Sequence, residues 1–530
     1  MLWEGARHFC RPFFPCKLPS APHDVSRSPC RPSPKLRSAT RRTSETYELQ
    51  STRPNLQRRS FLKQTLMIAG MTTTSSALFA FTDEPSTAEL SISSRKLASM
   101  PKDYTGISFE EPQLYNPAYF SVANVTLVEA YKKLSSHGIL RAGGHLSDVT
   151  RWKGLNGDFD SPRQEAGIEK GKSYWEWKLT DPSVRENKGG AITPEAIRNL
   201  KGFLDATNWR LIYGLCFGSG SPERARDEAA VVAKIMGDRL LCFQIGNEDD
   251  QFHAMPQFRD ESYTFDAYFK EYREFVEAVR RSVPEAKFGG PDVATNLDWL
   301  LRFAERKDND AIFLSSHFYA MGPAQDPRMN GAMLLGPNER LEHQIEQIHQ
   351  AVAVSNLPYR MTEGNSCFGG GKPDVSDAFA SALWGADYML HCACAGYCGV
   401  NLHGGGDGYY TPIAIGPNLS TELRPLYFGM QFADQFAGAE FLTCTLTTSQ
   451  NVTCYYARRD HEKLLALVNK GEASLSVKLP RELAHRVTEE RHLSAPSIAS
   501  RTEVRFEAVL PRTRGQVTVP AYTAVLLAWR

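Results

Sequence analysis

The sequence predicts a (β/α)8 barrel followed by an antiparallel β-sandwich. Between residues 104 and 406, eight short apolar runs alternate with helical patterns. Nearly all-apolar strands separated by amphipathic helices are the signature of a parallel sheet covered by helices, and eight such units in about 300 residues fit a closed barrel. After Met430 the helical periodicity stops, and strand-like runs separated by turn residues take over, as in a β-sandwich.

Residues 1–57 are rich in Arg, Pro and Ser without sustained periodicity. Such a composition cannot bury a core, so the segment is expected to be disordered or an over-extended start. Residues 58–88 open on Arg58-Arg59 and Phe61-Leu62-Lys63 ahead of a modestly apolar stretch, which resembles a twin-arginine export signal. The stretch is too short, and too diluted by Thr and Ser, for a membrane span. The expected location is periplasmic or secreted, with no stable membrane insertion of the mature protein. Segment 89–103 contains LSISSRKLA and is expected to contribute to the β-domain. The barrel is expected over 104–420 and the sandwich over 421–530.

Residues 1–88 carry 13 Lys and Arg against 6 Asp and Glu, leaving 48 against 54 for the rest. A body on the acidic side argues against a nucleic-acid or other polyanion partner. The 11 cysteines are too sparse for a disulfide-stapled mini-domain. Cys444 and Cys454 flank a predicted hairpin, and the spacing leaves open whether they pair. HCACAGYC (His391–Cys398) has apolar neighbours and no second matching cluster. Buried unpaired cysteines are expected there rather than structural zinc.

The strand candidates are, in order, GISFE (106–110), GILRAGG (138–144), WRLIYGLCFG (209–218) and LLCFQIGNE (240–248), then KFGGPDVA (287–294), AIFLSSHFYA (311–320), PYRMTEGNS (358–366) and CGVNLHGGG (398–406). Helical patterns are clearest at SPERARDEAAVVAKIMG (221–237) and FDAYFKEYREFVEAVRRSV (265–283). No GxGxxG or GxxxxGK turn follows the first strand, which argues against a nucleotide fold.

Most of these strands end in polar or glycine residues: Glu110, Gly143-Gly144, Asn247-Glu248, His317 and Tyr319, Glu363, His403. Barrels collect their chemistry at the C-terminal ends of their strands. Glu248 at the end of strand four and Glu363 at the end of strand seven then face one cleft. Two carboxyl groups flanking a glycosidic bond, one protonated and one ionised, are what glycoside hydrolysis requires. The competing reading of Glu248 is a cap on the helix that follows. Asp249 and Asp250 favour a protonated Glu248 if they lie close to it. The loop CFGGGKP (367–373) offers amides unobstructed by Cβ atoms, a concavity suited to an anion, with Lys372 as added charge. A flexible strand-to-helix connection is the plainer alternative, and HGGGDG (403–408) has the same ambiguity. Tyr319, Trp384, Tyr409 and Tyr410 are candidate aromatic walls, though Trp384 lies in an apolar helical stretch and reads as core. His317 and His403 lack the spaced partners of a metal site, and no metal or organic cofactor is expected.

Taken together, SFE ending at Glu110, RAGGHLSD (141–148), FQIGNE, SSHFYA, MTEGNSCFGGGKPDVSDAFASALWGADYM and GVNLHGGGDGYY resemble glycoside hydrolase family 79 over roughly residues 90–530. That family contains exo-acting β-glucuronidases and endo-acting heparanases. The resemblance implies Glu248 as acid/base and Glu363 as nucleophile. It implies Asn247 on the sugar 2-hydroxyl, Tyr319 orienting the nucleophile and Glu110 binding sugar. It also implies Gly369, Gly370 and Tyr410, with Tyr409 as rival, around the glucuronate carboxylate. Many relatives have Pro after the acid/base where this chain has Asp249. The expected activity is retaining exo-hydrolysis of terminal β-linked glucuronic acid, on a β-glucuronide-containing carbohydrate. The alternatives are an endo-acting heparanase-like hydrolase, a neutral β-glycosidase of the same clan and a carbohydrate-binding barrel without chemistry.

Overall fold

The computed structural model describes residues 86–154, 157–159, 190–404, 408–511 and 514–530. The arginine pair and the apolar stretch after it lie outside these residues.

Eight parallel strands close a barrel: β1 (Thr105–Glu110), β2 (Ile139–Gly143), β3 (Arg210–Leu215), β4 (Leu240–Ile245), β5 (Phe288–Val293), β6 (Ala311–Pro323), β7 (Tyr359–Phe368) and β8 (Gly399–Gly404). Pairing runs in chain order, and β8 returns to β1 through Val400↔Thr105 to Gly404↔Phe109. The longer helices between and after them are α1 (Val125–Leu134), α2 (Pro194–Thr207), α3 (Pro222–Met236), α4 (Phe265–Ser282), α5 (Leu297–Glu305), α6 (Glu339–Ser355), α7 (Phe379–Cys394) and α8 (Pro425–Asp434). Their starts are written locally. The side chains of Thr193, Ser221, Thr264 and Asn338 accept hydrogen bonds from the first-turn amides of α2, α3, α4 and α6. Along α4, Phe265, Tyr268, Phe269, Tyr272, Phe275, Val276 and Val279 recur at helical spacing and are all buried.

Near the N-terminal ends of the strands, Ile139, Ile212, Cys242 and Phe313 form a separate apolar cluster. The polar side chains of the strands collect toward the opposite end. Six strands have five or six residues, but β6 has 13 and β7 has 10. Their ladder continues past Asn365↔Tyr319 to Cys367↔Met321 and Phe368↔Pro323. The two strands therefore rise beyond the rim as a ribbon. Glu363 does not end its strand, as expected from sequence, but sits five residues before that end.

The second domain is a curled sheet of nine strands. Its order is Arg505–Val509, Glu489–Ser494, Thr523–Trp529, Glu462–Asn469, Val452–Arg459, Glu440–Leu446, Ser86–Ser99, Leu475–Lys478 and Gln516–Val519. Neighbours are antiparallel except Ser86–Glu89 against Leu475–Lys478. The 14-residue strand Ser86–Ser99 pairs at one end with 475–478 and further on with 440–446, with register shifts between Ile92 and Ala98. Such irregularities bend a strand, and this one lets a single sheet curl around the apolar cluster containing Leu465, Leu467, Val477, Val525 and Leu527. Strand Glu489–Ser494 was not apparent from sequence, because EERHLS carries three charges and a histidine. Among the described residues, no helix is long and apolar enough to cross a membrane.

Candidate active site

The site is organised around Arg141, a residue that sequence reasoning passed over inside RAGGHLSD. It projects from β2 and is fully buried. Its guanidinium donates to Gln244 Oε1 (2.9 Å), Ser108 Oγ (2.9 Å), Glu363 Oε2 (2.9 Å), Asn247 Oδ1 (2.7 Å) and Asp292 Oδ2 (2.5 Å). Five acceptors from four other strands or their ends thus converge on one cation. Burial works against its charge, but Asp292 and Glu363 outweigh that and raise its pKa. The available signal was a charged residue inside an apolar strand run, since a buried charge demands partners.

Glu363 is held at both oxygens, Oε2 by Arg141 and Oε1 by the Tyr319 hydroxyl at 2.9 Å. His403 Nδ1 lies 3.7 Å from Oε2. A carboxylate held by a guanidinium and a phenol is oriented and stabilised as the anion. The Tyr319 hydroxyl is itself pushed far up, first by burial and then by the charge of Glu363, so it stays a proton donor.

Glu248 follows the end of β4 with φ 56° and ψ 41°, and its side chain makes no helix cap. The capping alternative is thereby excluded. Its Oε1 accepts from His317 Nδ1 at 2.9 Å, and its side chain is 21% exposed against 7% for Glu363. The two glutamates, with His317, each present an atom within 4.8 Å of the others. His317 Nε2 lies 3.3 Å from Asp292 Oδ2. Burial pulls the imidazole toward neutrality, but Glu363 and Asp292 outweigh it and push its pKa up to about 10.

Asp292 is the counter-charge of the network. It accepts from Arg141, from Gln244 Nε2 at 2.7 Å and from the Thr362 hydroxyl. Burial alone would raise its pKa, but Arg141 and His317 hold it below the usual carboxylate range. Its backbone carbonyl accepts from the Glu248 N–H at 3.0 Å, which ties β5 to the acid-bearing turn.

Asn247 Oδ1 accepts from Arg141, while its Nδ2 is buried and has no hydrogen-bond partner among the described residues. A buried amide donor of this kind is suited to an acceptor on a bound molecule. Glu110 ends β1 and accepts from the Leu146 N–H at 2.8 Å, with its other oxygen 3.7 Å from His403 Nε2. Asp249 and Asp250 turn elsewhere. Asp250 accepts from the amides of Ala294, Thr295 and Asn296 ahead of α5. The Asp249 carboxyl packs beneath Gly246, where a Cβ would meet its Oδ1 at 2.2 Å. Burial, then the neighbouring Asp148 and Asp250, push its pKa well above the usual carboxylate range.

Gly369, Gly370 and Gly371 all have positive φ (81°, 89° and 84°), a conformation that glycine alone adopts freely. The Tyr410 N–H donates to the Gly370 carbonyl at 3.3 Å. The Tyr410 ring is buried, 6.3 Å from Tyr319 and 5.7 Å from His403, whereas Tyr409 is 43% exposed. Residues 405–407 of the second glycine loop lie outside the described residues. Lys372 Nζ donates to the Asp326 carbonyl at 2.6 Å, so its charge is anchored. Trp384 is core and stacks on Tyr388.

No family model matches the chain. A β-glucuronidase from Aspergillus niger is 25% identical over 296 residues, 50% of this chain and 54% of that protein. One from Neurospora crassa is 24% identical over 263 residues, 43% and 47% of the two chains. The chain thus spans about half the length of the curated relatives it matches. Among solved structures, a 4-O-α-L-rhamnosyl-β-D-glucuronidase from Fusarium oxysporum superposes with TM-score 0.62 at 18% identity, over 84% of this chain and 100% of that one. A family 51 arabinofuranosidase from Xanthomonas axonopodis pv. citri gives 0.61 at 15%, over 84% and 100%. The chain therefore has a barrel fold found in glycoside hydrolases, with β-glucuronidases among its sequence relatives.

Proposed function

We propose that this protein is a retaining exo-β-glucuronidase that releases terminal β-linked glucuronic acid from glycans or glycosides. The observation that carries the reading is the pair of carboxyl groups with unlike surroundings. Glu363 is clamped at both oxygens by Arg141 and Tyr319, whereas Glu248 is partly exposed and held at one oxygen. Their approach to within 4.8 Å supports retention, since retaining enzymes keep the two carboxyl groups about 5–5.5 Å apart and inverting ones leave about 6.5–9.5 Å for water.

In the proposed reaction, Glu363 attacks C1 while Glu248 donates a proton to the leaving oxygen. Glu248 then takes a proton from water, which attacks C1 and frees Glu363. The unpaired Asn247 amide is assigned to the sugar 2-hydroxyl and Glu110 to a further hydroxyl. The triple-glycine turn, Gly369 and Gly370 with Tyr410, is assigned to the glucuronate carboxylate. The two fungal relatives named β-glucuronidase support that sugar. The extension of β6 and β7 past the other strands favours a pocket over an open groove. The arginine pair at 58–59 supports export of the mature enzyme to the periplasm or out of the cell.

The test is hydrolysis of a chromogenic aryl β-glucuronide beside the matching β-glucoside, with the first-formed anomer read by NMR. Selective turnover of the glucuronide with β product first is expected, and Glu363→Gln should reduce it to background. Turnover of the glucoside alone would overturn the sugar assignment, and α product first would overturn retention.

A further inference from the structure

Outside the barrel, two thiols lie in contact. Cys444 sits on strand Glu440–Leu446 and Cys454 on its antiparallel neighbour Val452–Arg459. The register Phe441↔Ala457 and Leu442↔Tyr456, continued toward the turn, sets the two cysteines directly opposite. Their Sγ atoms are 3.5 Å apart, and the Cys444 thiol also lies 3.3 Å from the Cys454 carbonyl. Directly opposed residues have Cβ atoms about 4.5–5.5 Å apart, and a disulfide needs about 3.5–4.5 Å. Closing the bond therefore asks for side-chain rotation and a slight approach, with no change of register. The row continues on both sides, since Cys444 pairs with Ile92 and Cys454 with Leu467. Both cysteines pack against the apolar cluster of the domain yet are only partly buried. By contrast Cys216, Cys242, Cys367 and Cys392 are buried.

We propose that Cys444 and Cys454 form an intrachain disulfide whenever the folded chain meets a small-molecule or protein disulfide. The Cys444 thiolate attacks one sulfur of the oxidant and expels a thiol, leaving a mixed disulfide on Cys444. The Cys454 thiolate then attacks the Cys444 sulfur and expels the second thiol. Two electrons and two protons pass from the cysteines to the oxidant, which ends as two thiols. The crosslink staples the hairpin that carries the middle of the curled sheet. It is independent of the sugar chemistry assigned to the barrel.

The experiment uses the full chain, folded, equilibrated with oxidised or reduced glutathione, quenched in acid, alkylated under denaturing conditions and peptide-mapped. Under oxidised glutathione the 444 and 454 peptides should be joined, with the mass of two hydrogens lost. The Tm should rise by about 2–4 °C and fall back on reduction. The Cys444→Ser/Cys454→Ser double variant should show the same Tm in both buffers, and either single variant should leave its remaining cysteine open to alkylation or glutathionylation. Full alkylation of both cysteines in oxidised glutathione overturns the proposal. So does a crosslink from either cysteine to Cys394, a thiol that feels the charge of Cys444 and whose own charge is felt at Cys454.

Discussion

Replacing Arg141 by lysine keeps the charge and removes the fork. Arg141 makes five hydrogen bonds to five buried groups: Gln244, Ser108, Glu363, Asn247 and Asp292. An ammonium has three donors, so at least two of these five hydrogen bonds are lost, and Gln244 Oε1 and Asn247 Oδ1 accept from Arg141. A buried acceptor left unpaired costs about 1–3 kcal/mol, which sums to a loss of about 2–6 kcal/mol for Arg141→Lys. Urea unfolding followed by circular dichroism reads this as a lower midpoint at unchanged slope. The exposed Arg302, paired with Asp266 at 2.8 Å, is the control. Arg302→Lys should stay within about 0.5 kcal/mol of the parent. In the proposed enzyme, Arg141→Lys also loosens Glu363, and kcat on an aryl β-glucuronide should fall at least ~10-fold, equivalent to ~1.4 kcal/mol of transition-state stabilisation. A stability loss below about 1 kcal/mol would refute the argument that the fork geometry, rather than the charge, organises the site.

Two further outcomes follow from the same network. His317 has its pKa raised from 6.5 to about 10 in the folded state, so its contribution is complete below pH 6.5 and is lost as pH climbs through about 10. The stability gap between the parent and His317→Gln should therefore be widest at pH 6 and shrink toward pH 10 in parallel urea melts. A gap that is constant or grows with pH contradicts a charged imidazole. Gly371 has φ 84°, and an added Cβ would meet the Tyr410 backbone nitrogen at 2.5 Å. Gly371→Ala should cost about 1–3 kcal/mol through backbone strain and displacement of Tyr410. Raised KM for the aryl glucuronide with little change in kcat would mark the loss as one of carboxylate binding. Unchanged stability would show that the turn relaxes freely.

Local pattern carried the barrel a long way. GISFE, WRLIYGLCFG and CGVNLHGGG are apolar runs bounded by polar residues, and each forms its strand within a few residues of the expected limits. The same reasoning expected Glu248 and Glu363 at strand ends; Glu248 follows the end of β4, whereas Glu363 lies within β7. The lengths of β6 and β7 were not legible. Their extension depends on each finding the other as partner beyond the rim, through pairs such as Cys367↔Met321. Glu489–Ser494 likewise becomes a strand only because Arg505–Val509 and Thr523–Trp529 flank it.

The central network was the least accessible. Arg141 and Glu363 are 222 residues apart in the chain, and Arg141 and Asp292 are 151 apart. Nothing near Arg141 in sequence shows which acceptors it will meet, nor that Asp292 will hold it and His317 together. Short-range periodicity thus determined where the eight barrel strands begin and which way they run. Closure of the barrel decided which buried charges face each other, because Coulomb energy and hydrogen-bond geometry depend on distance in space, and only the folded ring of strands sets those distances.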